Sequence, residues 1–572
     1  MRDPEKLRSY AWFHGPVYYN LARRAWLRSE GFGPDTLDGK PIVGICNSWS
    51  ELNNCNVHLR QIAEAVKRGV WAAGGVPLEF PTISLGEMFM KPTSMLFRNL
   101  MAMDVEESIR ANPIDSCVLL CGCDKTTPAQ LMGAASADVP AVMVTGGPML
   151  AGRWGERTLG SGTDGRKIFD EYRQGRIGDE ELAEVEGCIA RSHGHCTVMG
   201  TASTMASIVE AMGMTLPGGA AIPAVDARRY AFAEACGRRA VEIAWDDLRP
   251  SKIITREAIE NAVRADMAIG GSTNAVPHLL AIARRAGVEL TLDDFDRLSR
   301  DTPYITNVKP SGEYLMEDFF YAGGLPTVLK NLLPLLHGDA LTVNGKTLAE
   351  NLEGVESADP KMVRPLEDPI HAEGGTVILK GNLAPDGAVF KQTAASPELW
   401  KHRGPAVVFD SRAEMLSKVD DPEWDVDERS VMILRNCGPH GGPGFPEWGH
   451  IPIPKKLLAR GVKDMLRLSD ARMSGTSFGA DVLHVSPESA IGGPLAAVRD
   501  GDEIEVDVEA RTLTLHVPAE EIERRLAERE PMKPHYTRGY GKLFLDHVTQ
   551  AHEGCDFDFL HADEEGEEGS RS

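Results

Sequence analysis

The chain has 572 residues, 42% of them hydrophobic and 25% charged, which is enough apolar material for more than one core and excludes a disordered or fibrous class. A formal net charge of -23 argues against a phosphate-binding surface of clustered Lys and Arg, so nucleic acid is not an expected partner. Charges interrupt the N-terminal segment MRDPEKLRSYAWFHG and no later apolar run approaches membrane-span length; no membrane partner is expected, the location is expected to be cytoplasmic, and the ten cysteines read as reduced.

In chain order, PIVGICNS reads as a buried strand and Val57 to Ala73 as an amphipathic helix, with Leu59, Ile62, Ala63, Val66 and Val70 at helical spacing. Asn53 and Asn54 are candidate caps, which would place Cys55 near a helix N-terminus. CVLLCGC and AVMVTGG are further buried strands, and between them Thr127 can cap, and Pro128 open, a helix one short turn beyond Cys123. SHGHCTVMGTASTMASIVEAMG opens a third helix at Cys196, with Met199, Met205 and Ile208 facing inward. A helix follows from Arg256 to Ala265, and GGSTNAVPHLLAIA is a tight turn feeding a buried helix that Ser272, Thr273 or Asn274 can cap. This alternation predicts an α/β domain with a largely parallel sheet over residues 1–368.

After Pro369 the texture changes to short strands between Gly, Pro and Asp turns, predicting a smaller β-rich, barrel-like domain over residues 369–555. EIEVDVEARTLTLHV reads as its hairpin and EEIERRLAERE as a short charged helix. Residues 556–572, acidic and poor in apolar groups, are expected to be a disordered tail.

A helix N-terminus presents unpaired amides and partial positive charge, which favours thiolate, so Cys55, Cys123 and Cys196 are candidate metal ligands. They lie roughly 70 residues apart, unlike the clustered ligands of a zinc finger or a ferredoxin. Burial is the ordinary reading of any single cysteine and fits Cys46, Cys117, Cys188, Cys236 and Cys437, with Cys555 a bystander. Cys121, two residues from Cys123, could share a strand face with it as a CxC pair.

Running in order over nearly the whole chain, ELNNCN, CDKTTP, GHCTVMGTASTM, IGGSTNAVPHLLAIA, NVKPSGEYLMEDFFYAGGLP, GGPGFPEW and SDARMSGTS resemble the dihydroxy-acid and phosphogluconate dehydratase family, in particular its sugar-acid branch. The resemblance implies an enzyme, a hydro-lyase converting a sugar acid such as L-arabinonate, D-xylonate, D-fuconate or D-galactonate into its 2-keto-3-deoxy acid. It also implies a [2Fe-2S] cluster on Cys55, Cys123 and Cys196, whose open iron acts as a Lewis acid. A Mg2+ ion would sit on Glu87, Asp124, Glu447 and a carbamylated Lys125. Ser474 would be the proton acceptor, Thr476 a contact to the substrate carboxylate, and the assembly a homodimer or homotetramer. Glu447 belongs to the β-rich part, so the site is expected between domains. His193 and His195, flanking Gly194, are expected to hydrogen-bond a sulfur or a substrate oxygen rather than to ligate metal. Two rival readings are a branched-chain dihydroxy-acid dehydratase and a non-enzymatic iron-sulfur redox or sensing protein; the latter has no use for the hard-oxygen set or a serine base.

Overall fold

The computed structural model describes residues 3–356 and 359–560. Four strands form a parallel sheet in the order β2-β1-β3-β4: β1 Ile42–Asn47, β2 Val76–Pro81, β3 Ser116–Cys121 and β4 Ala141–Thr145. The expected strands are β1, β3 and β4, every residue of which is buried, the pattern of a sheet covered on both faces. Helices Leu59–Ala72 and Ala227–Asp246 cross so tightly that a Cβ on Gly69 would meet the Glu234 carbonyl oxygen at 2.0 Å. Only a residue without a side chain fits there.

A two-stranded hairpin, β5 Gly152–Trp154 and β6 Arg157–Leu159, leads into two surface helices before the chain returns to the core. The later strands then close into a barrel in the order β10-β11-β12-β8-β7-β14-β13-β9. They are β7 Val377–Gly381, β8 Ala384–Phe390, β9 Lys401–Phe409, β10 Val431–Leu434, β11 Arg467–Ser469, β12 Asp481–Ser486, β13 Glu503–Asp507 and β14 Thr512–Leu515. Its interior is a separate core that includes Val377, Leu379, Phe390, Ile433, Leu468, Val482, Ile504 and Leu513. The expected hairpin is the antiparallel pair β13 and β14, and the charged helix follows it at Ala519–Ala527.

The helix expected from Val57 begins at Leu59, and the one from Arg256 runs on to Ile269 behind a Thr255 cap. Met199, Met205 and Ile208 are buried as expected. Asp556 and Phe557 correct the expected start of the tail. Asp556 accepts from Arg285 Nε at 2.6 Å with both side chains shielded from solvent, and Phe557 packs beside Phe544 and Phe445. A composition rule averaged over residues 556–572 cannot see one buried cation waiting for a partner; residues 561–572 lie outside the described part. Arg98 reinforces the clamp by donating to the carbonyls of Gly554 at 2.8 Å and Cys555 at 2.9 Å.

Replacing Asp556→Ala leaves the buried Arg285 guanidinium with Glu106 and the Ser136 hydroxyl. The expected loss is about 3–5 kcal/mol of unfolding free energy, read by urea titration. An unchanged midpoint would mean that Glu106, 3.3 Å from Arg285 Nη1, suffices.

Candidate metal and catalytic site

Loops leaving the carboxyl ends of the sheet strands carry the candidate residues to one region, the place where open parallel sheets hold ligands. The loop after β1 carries Cys55, that after β2 carries Glu87, and that after β3 carries Cys123, Asp124 and Lys125. Cys196 arrives from far along the chain but is tied to the end of β4: the His195 N–H donates to the Gly147 carbonyl at 3.0 Å and the Met149 N–H to the His195 carbonyl at 2.8 Å. Gly122 lets the first two loops meet, since a Cβ there would lie 2.5 Å from the Cys55 carbonyl oxygen.

Lys125 is fully buried at the cap of helix Thr126–Ala137, and its ammonium needs carboxylates. Its Nζ lies 2.6 Å from Asp124 Oδ2, 3.1 Å from Glu447 Oε1 and 3.4 Å from Glu87 Oε2. The three carboxylates each offer an oxygen, all within 4.8 Å of one another. Glu87 is aimed by the Thr93 hydroxyl at 2.9 Å, the Ser94 N–H at 3.1 Å and the Ser94 hydroxyl. Glu447 accepts from Asn274 Nδ2 at 2.9 Å and from Arg472 Nη1 at 3.1 Å. Burial pushes the Glu447 carboxyl up, but the Lys125 ammonium and the Arg472 guanidinium outweigh it and hold it down at about 2. For Lys125, burial and Arg472 pull down while Asp124, Glu447 and Glu87 prevail and raise it. This hard-oxygen set fits a small divalent cation once Lys125 gives up its positive charge, because an ammonium at that point competes with the ion.

The ten cysteines are all free. The Cys55 and Cys123 thiols lie within hydrogen-bonding reach, which pushes the Cys55 thiol well up, as do burial and the negative charge of Cys123, Cys196 and Asp124. Burial pushes the Cys196 thiol up to about 11 against a hydrogen bond from Ser161. Thiols that act on one another by charge fit a thiophilic metal centre, which takes them as thiolates and offsets the cost of ionising them.

These directions correct the expectation that helix ends lower the thiol pKa. The helices begin at Leu59 and Thr201, four and five residues beyond Cys55 and Cys196, so neither thiol sits on an N-terminus. Asn53 does not cap: its side chain accepts from the Cys55 N–H at 3.1 Å, while Asn54 donates to the Gly194 carbonyl at 3.2 Å. Nor does Thr127, because Lys125 holds the cap position and Thr126 Oγ1 accepts from the Cys123 N–H at 3.0 Å. Cys121 ends β3 inside the sheet core, its Sγ 3.9 Å from the Val144 carbonyl, so it forms no CxC pair with Cys123. His195 meets the Cys196 backbone carbonyl at 3.2 Å rather than a sulfur, and His193 stacks on His58 at 4.5 Å. Burial pulls His195 down to about 3 and His58 to about 4, so both brace the loops as neutral rings.

Ser474 lies in the loop between β11 and β12, its Oγ 3.0 Å from Thr476 Oγ1. A Cβ on Gly475 would stand 2.6 Å from both the Thr201 nitrogen and Ser272 Oγ, so the barrel loop is pressed onto the α/β part. A Cβ on Gly200 would lie 3.1 Å from Thr476 Cγ2 and 3.8 Å from Cys196 Cβ, which puts this loop beside the third cysteine.

Three residues escaped the sequence reading. Asn274 and Arg472 stand inside the quoted motifs, where Asn274 reads as a cap and no local pattern assigns Arg472 a role. Ser272, Thr273 and Asn274 make no side-chain cap, and Asn274 instead reaches Glu447 across the two halves. Arg166, whose Nη1 donates to Thr476 Oγ1 at 2.7 Å, lies in no motif, and no local signal marks it.

The ion-pair stability sensed by Glu447 is present above its ordinary value of 4.5 and is lost as pH falls towards its folded value of about 2. In metal-free protein, the stability gap between wild type and Lys125→Met should therefore be full at pH 7 and narrow between pH 4.5 and about 2, measured by urea unfolding. A gap that widens on acidification would contradict the assignment.

Residues 40–351 match the dihydroxy-acid/6-phosphogluconate dehydratase N-terminal family model and residues 361–555 the corresponding C-terminal model. The chain is 53% identical to an L-arabonate dehydratase of Azospirillum brasilense, with 97% of each chain covered. It is 52% identical to an L-arabinonate dehydratase of Rhizobium leguminosarum bv. trifolii, covering 97% of this chain and 96% of the relative. A 6-deoxy-6-sulfo-D-gluconate dehydratase of Pseudomonas putida is 49% identical over 98% of this chain and 97% of its own.

Proposed function

The chain belongs to the dihydroxy-acid/6-phosphogluconate dehydratase family and is a hydro-lyase; from that premise we propose that it dehydrates a sugar acid, an aldonate, to the 2-keto-3-deoxy acid. The observation that carries this reading is the convergence of three free thiols, three carboxylates around Lys125 and the Ser474 turn where loops of the α/β part meet loops of the barrel half. The substrates in the names of all three relatives are polyhydroxylated acids, which supports the substrate class. Hydroxyl and guanidinium groups of Thr163, Arg166, Thr201 and Ser272 surround the turn and suit such a chain better than a methyl-branched one.

The residues proposed to hold a [2Fe-2S] cluster are Cys55, Cys123 and Cys196. Those for Mg2+ are Glu87, Asp124, Glu447 and Lys125, the last as a carbamate. When bound, the two centres supply Lewis acidity, one for the departing C3 hydroxyl and one for the carboxylate and C2 oxygen of the substrate. Carbamylation turns the Lys125 cation into an oxygen donor and removes the competitor from the middle of the three carboxylates. Asn274 and Arg472 keep Glu447 aimed while Thr93 and Ser94 aim Glu87. Ser474 takes the C2 proton, with Thr476 Oγ1 standing 3.0 Å from its Oγ. We also propose a homodimer or homotetramer, for which exposed Tyr18, Tyr19, Leu21 and Trp26 offer an apolar face.

The test is to incubate the reconstituted, Mg2+-supplied protein with a panel of aldonates and with dihydroxyisovalerate and to measure keto acid. Keto acid from an aldonate is expected; none from any panel member, with cluster absorbance intact, would sink the reading. Ser474→Ala should lower kcat by about 10²–10⁴-fold with the absorbance unchanged, whereas Cys123→Ser should lose both.

A further inference from the structure

An ordinary serine is far too weak an acid to serve as a base near neutral pH, so a neighbourhood that stabilises its ionised form is required. One lies in the contacts of Thr476. Arg166, from the helix Thr163–Arg173, donates its Nη1 hydrogen to Thr476 Oγ1 at 2.7 Å. A guanidinium only donates, so this contact has one direction. Thr476 Oγ1 lies 3.0 Å from Ser474 Oγ, and the Thr476 N–H points at the same oxygen at 3.5 Å. The Thr163 hydroxyl holds the Thr476 carbonyl at 2.7 Å, and Gly162, with φ of +78°, brings that helix end against the threonine.

We propose that Arg166 is a positioning residue that, by occupying the acceptor side of Thr476 Oγ1, turns the threonine hydrogen onto Ser474 Oγ and so stabilises the Ser474 alkoxide. This rests on the reading of Ser474 as the proton acceptor. Among the described residues no carboxylate forms an ion pair with Arg166, so its charge is directed through Thr476. The other groups facing the turn are the hydroxyls of Thr201 and Ser272; Glu447, Cys196 and Asp481 act on Arg166 by charge alone. Burial pulls the Arg166 guanidinium down and these three push it back, leaving it still a strong cation relative to a hydroxyl.

The Ser474 hydroxyl first loses its proton to water. The alkoxide then takes the C2 proton, the C2–H pair becomes the carbon–carbon double bond, and the C3–O bond breaks with its electrons on the leaving hydroxide. Ser474 passes the proton to that hydroxide, giving water and restoring the alkoxide, and the enol tautomerises in solvent.

The experiment is the pH dependence of kcat for holoenzyme with matched cluster absorbance, for wild type, Arg166→Gln, Arg166→Lys, Thr476→Val, Thr476→Ser and Ser474→Ala. With Arg166→Gln and Thr476→Val the midpoint of the rising limb should move up by about one pH unit, a loss of about tenfold in kcat below the midpoint that is regained at alkaline pH. Thr476→Ser should bring the midpoint back from the Thr476→Val position, and Arg166→Lys should fall between. A uniform loss at all pH values, or an unshifted midpoint, with Ser474→Ala inactive, overturns the inference alone. Turnover retained by Ser474→Ala overturns the reading on which it rests, and the inference with it.

Discussion

Burying the Lys125 ammonium with no solvent at hand obliges the chain to bring carboxylates to it, and it does so from three places. Asp124 is its neighbour, Glu87 comes from the loop after β2, and Glu447 comes from the barrel half. Each of these anions then makes its own demand. Glu447 draws in Arg472 and Asn274, and Glu87 draws in Thr93 and Ser94. Arg472, itself buried, returns to Thr93 and closes the network. The α/β sheet and the barrel are thus joined by electrostatics at the candidate site.

The same constraint accounts for the shape of the site. Four parallel strands end together, so loops separated widely in sequence are neighbours in space. Hard oxygens and soft thiols then sit side by side, with Cys123 and Asp124 adjacent in the chain and the Cys123 Sγ 3.4 Å from Asp124 Oδ1. A hydro-lyase acting on a hydroxy acid has two separate problems, an unacidic C2–H and a poor leaving group at C3. Two kinds of donor set within one crevice suit that division.

Much of the architecture was legible from local pattern. Continuous apolar runs such as PIVGICNS and CVLLCGC gave the buried parallel strands, and the turn-rich half with EIEVDVEARTLTLHV gave the β-rich part, because side-chain periodicity reports burial directly. Local capping rules did worse. Asn53, Thr127 and Asn274 all have cap chemistry, yet each spends its side chain, or loses the cap position, to a tertiary partner or a nearby turn. The tail rule failed at Asp556 for the same reason, since Arg285 supplies from far away what composition cannot register.

What the sequence determined by itself was the set of candidates: three cysteines, a lysine beside an aspartate, two glutamates and a serine, in motifs that resemble one dehydratase family. Tertiary structure alone decided which of them face one another, that the Cys55 and Cys196 thiols are raised rather than lowered, and that Arg166, Arg472 and Asn274 join them. The physical reason is range. Helical and strand periodicity is written within a few residues, whereas desolvation and Coulomb interaction depend on distances in space that a chain of this length sets only when it closes its sheet, its barrel and the contact between them.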